Sequence, residues 1–239
     1  MLEFLNYIDN EFFLLLNGAV HTPFLDHFMM LFTGRFIWGP MYAVILAILF
    51  WHFKRGQALV WIVGIILAVA LTDQLCATVI RPWVGRLRPS NLENPISGLV
   101  YIVNGYRGGS YGFPSCHAAN TAALASFLYM LIRRTRFRIF IISWAILSAL
   151  SRLYLGVHYP GDLLVGAVIG TAIGLGCFRL SRASVSRIDS AVSKRHGRLV
   201  SLSLPRFQRL GSVSFAVSDI MIGVGAATTA VITVIAAAA

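Results

Sequence analysis

The sequence predicts an all-α integral membrane protein, a bundle of about six transmembrane helices. Three observations carry that prediction. Of the 239 residues, 57% are hydrophobic and only 12% charged, about half the charged share of a typical soluble domain. The apolar residues gather into six runs that approach or exceed the ~20 residues needed to cross a bilayer. Most of the charge falls in the stretches between those runs.

Taken in order, residues 1–35 mix apolar side chains with Asn10, Glu11, Asn17, His21 and Asp26. They predict an interfacial helix or a turn-broken pair lying on the membrane, with a further half-span as the alternative. No basic stretch precedes the first apolar residues, so no cleaved signal peptide is expected. The runs lie at 36–53, 57–80, 117–132, 137–155, 161–178 and 213–238. All are expected to be helical, because lipid cannot satisfy open backbone groups. The third is short and should begin within the motif before it. The last is rich in Gly, Ala, Val and Thr and carries Asp219 near its start. Between the last two runs, residues 179–212 are Ser- and Arg-rich, with Val185, Ile188 and Val192 at helical spacing. They predict a partly helical basic segment on the membrane surface; a solvated loop is the alternative. The chain thus divides into 1–35, a core at 36–178, the basic segment 179–212 and a final helix at 213–239.

The net charge is +11. Among such apolar runs it points to topology and acidic lipid head groups, and no nucleic-acid partner is expected. Lys54 and Arg55, the arginines at 133, 134, 136 and 138, and eight basic residues within 179–209 fall on one side of alternating spans. That side, with fourteen of the twenty, should be cytoplasmic. Arg35, Arg81, Arg86, Arg88, Arg107 and Arg152 fall on the other. The three cysteines include no C-x-x-C, and the odd count argues against a disulfide framework. Cys76 and Cys177 sit in apolar runs and are expected to be packing residues.

Three polar clusters lie at the non-cytoplasmic ends of the spans. The first is Arg81-Pro-Trp-Val-Gly-Arg-Leu-Arg88-Pro89, the second Pro114-Ser115-Cys116-His117, and the third Ser151-Arg152 followed by His158 and Asp162. Each has a bland reading. Arg81 and Arg88 could anchor head groups, Ser115 could be a plain N-cap, His117 an interfacial histidine and Asp162 a helix cap. Arg152 is harder to dismiss, since an ionisable residue among apolar neighbours near a helix end is costly and usually functional.

Together the clusters resemble the signature of the phosphatidic-acid-phosphatase type 2 (PAP2) family: Lys-x6-Arg-Pro, then Pro-Ser-Gly-His, then Ser-Arg-x5-His-x3-Asp. Here they read Arg81-x6-Arg88-Pro89, Pro114-Ser115-Cys116-His117 and Ser151-Arg152-x5-His158-x3-Asp162. The resemblance covers residues 36–178. Arg81 replaces the usual Lys, and Cys116 the usual Gly. The family implies His158 as nucleophile, Asp162 as its orienting partner and His117 as the acid for the leaving group. Arg81, Arg88, Ser115, Cys116 and Arg152 would surround the phosphate. The family implies no metal and no cofactor.

Elementary chemistry agrees. Phosphoryl transfer spreads charge over three equatorial oxygens, so positive charge and positioning dominate catalysis. Arginine forks suit phosphate oxygens, and the start of the third run would point free N–H groups at an anion. A cysteine phosphatase would need an Arg six residues after its nucleophile, where this chain has Ala122. No His-x3-His or Glu-x-x-His pair suggests a metal site, and His21, His27, His52 and His196 are expected at surfaces or interfaces. The expected protein is a metal-independent lipid phosphatase of a bacterial inner membrane, its site facing the periplasm and its partners membrane lipids. Candidate substrates are undecaprenyl diphosphate, a lipid A phosphate and phosphatidylglycerophosphate. The alternative is a catalytically degenerate protein that binds or transports lipid phosphates. A transporter should show two similar halves with broken spans, and no such repeat is visible.

Overall fold

The computed structural model describes residues 2–195 and 210–239. Described residues form helices and loops, with a single isolated β-bridge between Leu87 and Tyr111. The N-terminal stretch is a turn-broken pair, α1 (Leu2–Asn17) and α2 (Pro23–Phe32). Thr22 caps α2, its hydroxyl accepting from the Leu25 N–H at 3.1 Å. A 3-10 turn at Phe36–Trp38 leads into α3 (Gly39–His52), bent by 68° from α2. Next comes α4 (Arg55–Gln74), which passes through a π-turn at Leu75–Ile80 into α5 (Arg81–Val84) without a break. After a long loop follow α6 (Cys116–Leu131), α7 (Thr135–Tyr154), α8 (Pro160–Arg195) and α9 (Leu210–Ala238).

Among the described residues four stretches are long and apolar enough to cross a bilayer: Arg55–Val84, Thr135–Tyr154, Pro160–Ala191 and Ser218–Ala238. Counting the bent α2–α3 pair as one span gives five. The sixth apolar run is α6, only 16 residues long. It is the central helix, with Ala118, Ala119, Ala123, Leu124, Phe127 and Leu128 all buried. Large apolar side chains on α4 and α8 point outward instead, among them Val63, Ile66, Leu71, Leu164 and Val168. That inversion is what a lipid solvent requires.

The tightest seam joins α6 to α8. Gly166, Gly170 and Gly174 recur every four residues on α8, and a Cβ at each would strike the backbone carbonyl of Ser115, Ala119 and Ala123 in turn. Helices in membranes associate by such small-residue contact, because lipid supplies no hydrophobic drive between them. Farther from the site, Trp61, Phe127 and Phe178 form an aromatic cluster, Trp61 stacking on Phe178 at 5.5 Å between centroids.

One boundary differs from expectation. Instead of ending near 178, α8 continues to Arg195. Ser181 and Val185 are buried along it, and the Gln57 amide donates to Asp189 at 2.6 Å. The apolar stripe and this tie to the start of α4 carry the helix on. Residues 196–209 of the expected basic segment lie outside the described residues.

Candidate active site

The long loop between α5 and α6 folds back on itself and so brings distant motifs together. Gly85, at φ 62°, takes the left-handed conformation that closes α5. The strand-like return then pairs the Arg88 N–H with Ser110 O at 3.0 Å and the Gly112 N–H with Arg86 O at 2.9 Å. Asn94 braces the loop, its amide donating to Arg88 O and to the Tyr159 hydroxyl, both at 3.0 Å. The Ser115 N–H donates to Asp162 O at 3.0 Å, which locks the start of α6 to the start of α8.

His158 lies in the turn between α7 and α8 and is 2% exposed. Its Nε2 meets an Arg88 guanidinium nitrogen at 2.8 Å, and its Nδ1 faces the Asp162 carboxylate at 3.4 Å. The Tyr159 N–H holds that same carboxylate oxygen at 3.0 Å. Burial first, then the charges of Arg88, Arg152 and Arg81, hold the His158 imidazole well below its ordinary pKa. It is therefore neutral, with an available lone pair. Burial and the neighbouring Arg81 and Arg152 push Arg88 down to about 10.

All three arginines of the motifs act on this imidazole by their charge, and Arg88 touches it. Arg88 also donates to Val157 O at 3.1 Å. Arg152 reaches Thr33 Oγ1 at 3.2 Å and the Tyr106 hydroxyl at 3.1 Å. Arg81 reaches Pro114 O at 3.1 Å and Cys116 Sγ at 2.8 Å. In all three the Nε–H is buried without a hydrogen-bond partner. Buried donors are rarely left unmade. Arg88 touches the histidine, Arg81 and Arg152 are near enough to act on its charge, and their spare donors suit an anion with several oxygens. Ser115 is fully buried and caps α6, its Oγ accepting from the Ala118 N–H at 3.4 Å. Its hydroxyl proton stays available to an acceptor. His117, one residue into α6, has the Arg152 and Arg35 guanidiniums and the His158 ring as neighbours.

All eight residues singled out in the sequence lie at this end of the bundle. The two departures from the family pattern touch each other, since Arg81 donates to Cys116. The Cys76 thiol, expected only to pack, also lies within hydrogen-bonding range of Cys116. Sequence reasoning missed four residues. Thr33 and Tyr106 hold Arg152, and neither sits in a motif. Arg86 was counted only for topology, yet its guanidinium joins Asp9 at 2.6 Å to Asp162 at 3.0 Å. Asp9 lies in the stretch that predicts an interfacial helix or a turn-broken pair, and no local pattern marks it. Among the described residues no three His, Cys, Asp or Glu side chains converge as a metal site would require.

Known proteins align with most of this chain. The PAP2 superfamily pattern matches residues 57–186. The lipid A 4'-phosphatase of Bacteroides thetaiotaomicron is 52% identical over 190 residues, 80% of this chain and 84% of that protein. A second lipid A 4'-phosphatase, from Porphyromonas gingivalis, is 35% identical over 82% of each chain. The crystal structure of Aquifex aeolicus LpxE superposes with a TM-score of 0.53 at 26% identity, over 71% of this chain and 93% of that one.

Proposed function

The chain belongs to the PAP2 superfamily of membrane phosphatases, and from that premise we propose that it removes the 4'-phosphate of lipid A through a phosphohistidine at His158. The observation that carries the chemistry is the set of three unpartnered arginine Nε–H groups near a neutral, buried imidazole. The choice of lipid rests on the two lipid A 4'-phosphatases that align over most of the chain.

Phosphate oxygens enter the cradle of Arg81, Arg88 and Arg152, and the Arg88 fork turns from His158 Nε2 to an oxygen. The Nε2 lone pair then attacks phosphorus as the bond to the sugar oxygen breaks. Asp162 holds Nδ1–H, so the attacking nitrogen is fixed and the positive charge on the ring is balanced. A phosphate dianion beside His117 offsets the arginine charge and favours the imidazolium. His117 gives its proton to the leaving oxygen. In the second half a water loses a proton to His117, attacks phosphorus and breaks the N–P bond. Inorganic phosphate leaves and both histidines are restored.

The arginine at 81 and the cysteine at 116 leave this machinery intact. Neither removes a group that makes a bond or moves a proton, which disfavours a degenerate, binding-only protein. The catalytic unit comprises 36–178, with α1 and α2 packed at its site end. The excess of basic residues at the opposite end of the bundle favours an inner-membrane protein whose site opens to the periplasm.

The test is phosphate release by purified protein in detergent from lipid A, undecaprenyl diphosphate and phosphatidylglycerophosphate. The 4'-phosphate of lipid A should be turned over with the highest kcat/KM. Equal rates on all three would refute the lipid assignment. Failure to trap an acid-labile, alkali-stable phosphoprotein that is lost in His158→Ala would refute the phosphohistidine.

A further inference from the structure

We propose that Asp9, on a helix outside the matched family region, is a positioning residue of the reaction: acting through Arg86, it fixes the placement and charge of Asp162 behind His158. The inference rests on the His158–Asp162 chemistry proposed above.

Arg86 looks at first like a fourth phosphate ligand. Its hydrogen bonds say otherwise. One terminal nitrogen donates both to Asp9 Oδ2 at 2.6 Å and to Asp162 Oδ1 at 3.0 Å. The guanidinium lies 3.9 Å from the centroid of the Tyr159 ring, a position that suits a planar cation. Asp9 is engaged at both oxygens, since Oδ1 accepts from the Gly161 N–H at 2.8 Å. A Cβ on Gly161 would come within 2.7 Å of that carboxylate, so α1 meets the first turn of α8 at a residue without a side chain.

The arrangement is buried at one end and partly covered at the other. Asp162 is 0% exposed, Asp9 14% and Arg86 18%. A guanidinium shared between two carboxylates keeps each charge paired, without which burial would be costly. It also closes the charge balance of the site. Arg81, Arg86, Arg88 and Arg152 face Asp9 and Asp162, leaving two positive charges for a phosphate dianion.

The consequence for His158 is directional. Asp162 spends Oδ1 on Arg86 and Oδ2 on the Tyr159 N–H and the His158 ring. It can swing from the ring only if Arg86 moves, and Asp9 holds Arg86. Asp9 also takes part of the cation's pull. Without it, Arg86 would bear on Asp162 alone and weaken its hold on the ring as positive charge develops there. The charged and titratable groups facing His158 are Arg81, Arg88, Arg152, His117 and Asp162, with Tyr106 beside Arg152 and Arg86 and Asp9 behind Asp162.

The test uses the purified full chain with lipid A and with an activated phosphate ester, measuring kcat and KM across pH for Asp9→Asn, Asp9→Glu and Arg86→Gln. Thermal unfolding and size-exclusion profiles in detergent are read alongside. Asp9→Asn should lower kcat roughly tenfold to a hundredfold and leave KM within a few-fold. It leaves one more net positive charge near His158, so the acid limb of kcat/KM should move to lower pH. Arg86→Gln removes a positive charge and should move that limb the other way. Asp9→Glu should recover much of the loss. Opposed shifts cannot arise from a purely structural anchor. The proposal is overturned if Asp9→Asn changes only the unfolding temperature, if the limbs do not move in opposite directions, or if Arg86→Gln raises KM with kcat unchanged, which would make Arg86 a phosphate ligand. His158→Ala serves as the control. Should it stay active, the dyad chemistry itself fails, whatever Asp9→Asn does.

Discussion

Adding one methyl group at Gly170 should separate the two helices that carry the catalytic groups. A Cβ there falls 2.8 Å from the Ala119 carbonyl carbon and 3.0 Å from its Cα, and closer still to the carbonyl oxygen. Non-bonded heavy atoms pack best near about 3.5–4.0 Å, so Gly170→Ala must part α6 and α8 by roughly 1 Å. The obstructing atoms are backbone, which no rotamer change can move aside. Over-packing of this kind costs about 1–3 kcal/mol. Ala119 is only two residues from His117, and Gly170 is two turns from Asp162, so the separation reaches the site. A misplacement near 1 Å costs on the order of 10²-fold in rate. Gly176 is the control, because it lies on the same helix with nothing within 4 Å of an added Cβ. Gly176→Ala should be neutral or stabilising by a few tenths of a kcal/mol to about 1 kcal/mol. Thermal unfolding in detergent and phosphate release, measured side by side, decide the matter. If Gly170→Ala matched Gly176→Ala in both, the seam would not set the geometry of the site.

Other expectations follow from the site. His158→Ala should abolish turnover of every substrate, whereas His117→Ala should lose about 10²–10⁴-fold on an alcohol leaving group and much less on a nitrophenyl ester. Rescue of His158→Ala alone by the activated ester would exchange their roles. Because burial and three arginines lower the His158 pKa, the acid limb of kcat/KM should lie below the ordinary histidine value of about 6.5. Stability should fall as pH drops below about 6.5, since the unfolded chain then takes up a proton that the folded one excludes; calorimetry showing no such loss would contradict it. Arg81→Lys and Cys116→Gly should be non-additive, because the two side chains touch at 2.8 Å. A kinetic double-mutant cycle closing to zero coupling would show that contact to be idle. Impermeant thiol labelling on intact cells should reach a cysteine placed at Ser97 but not one at Thr135, and the reverse pattern would invert the topology.

The helical runs were legible because a membrane span is written as an uninterrupted apolar stretch, and its bounds, the end of α8 apart, moved by only a few residues. The motif residues were legible for a different reason: Arg81, Arg88, His117, His158 and Asp162 sit at fixed spacings within single segments. Long-range partners left no such trace. Asp9 reaches Gly161 across a sequence separation of 152, and Arg152 reaches Thr33 across 119; nothing local to either pair announces the other. The run of α8 past 178 was legible only in part, as Val185, Ile188 and Val192 at helical spacing, because Arg and Ser within 179–195 outweigh the buried Ser181 and Val185 in composition, while packing against α4 decides the conformation. The every-fourth-residue glycines at 166, 170 and 174 were in plain view. Their meaning depends on which helix lies opposite, and only the three-dimensional arrangement supplies Ser115, Ala119 and Ala123.

The shortness of α6 has a bearing on what can reach the chemistry at all. Sixteen residues of α-helix extend about 24 Å, against a hydrocarbon layer about 30 Å thick. Set with its far end at one face of such a layer, the helix would start several ångströms short of the other, at Cys116 and His117. A phosphate that approaches from water must shed much of its hydration to descend that far, and small soluble esters have nothing to offset the loss. An amphiphile already anchored by its chains approaches from the side and arrives at the right depth without leaving lipid. A site at that depth would favour lipid-anchored phosphates over dissolved ones before any side chain reads a structure.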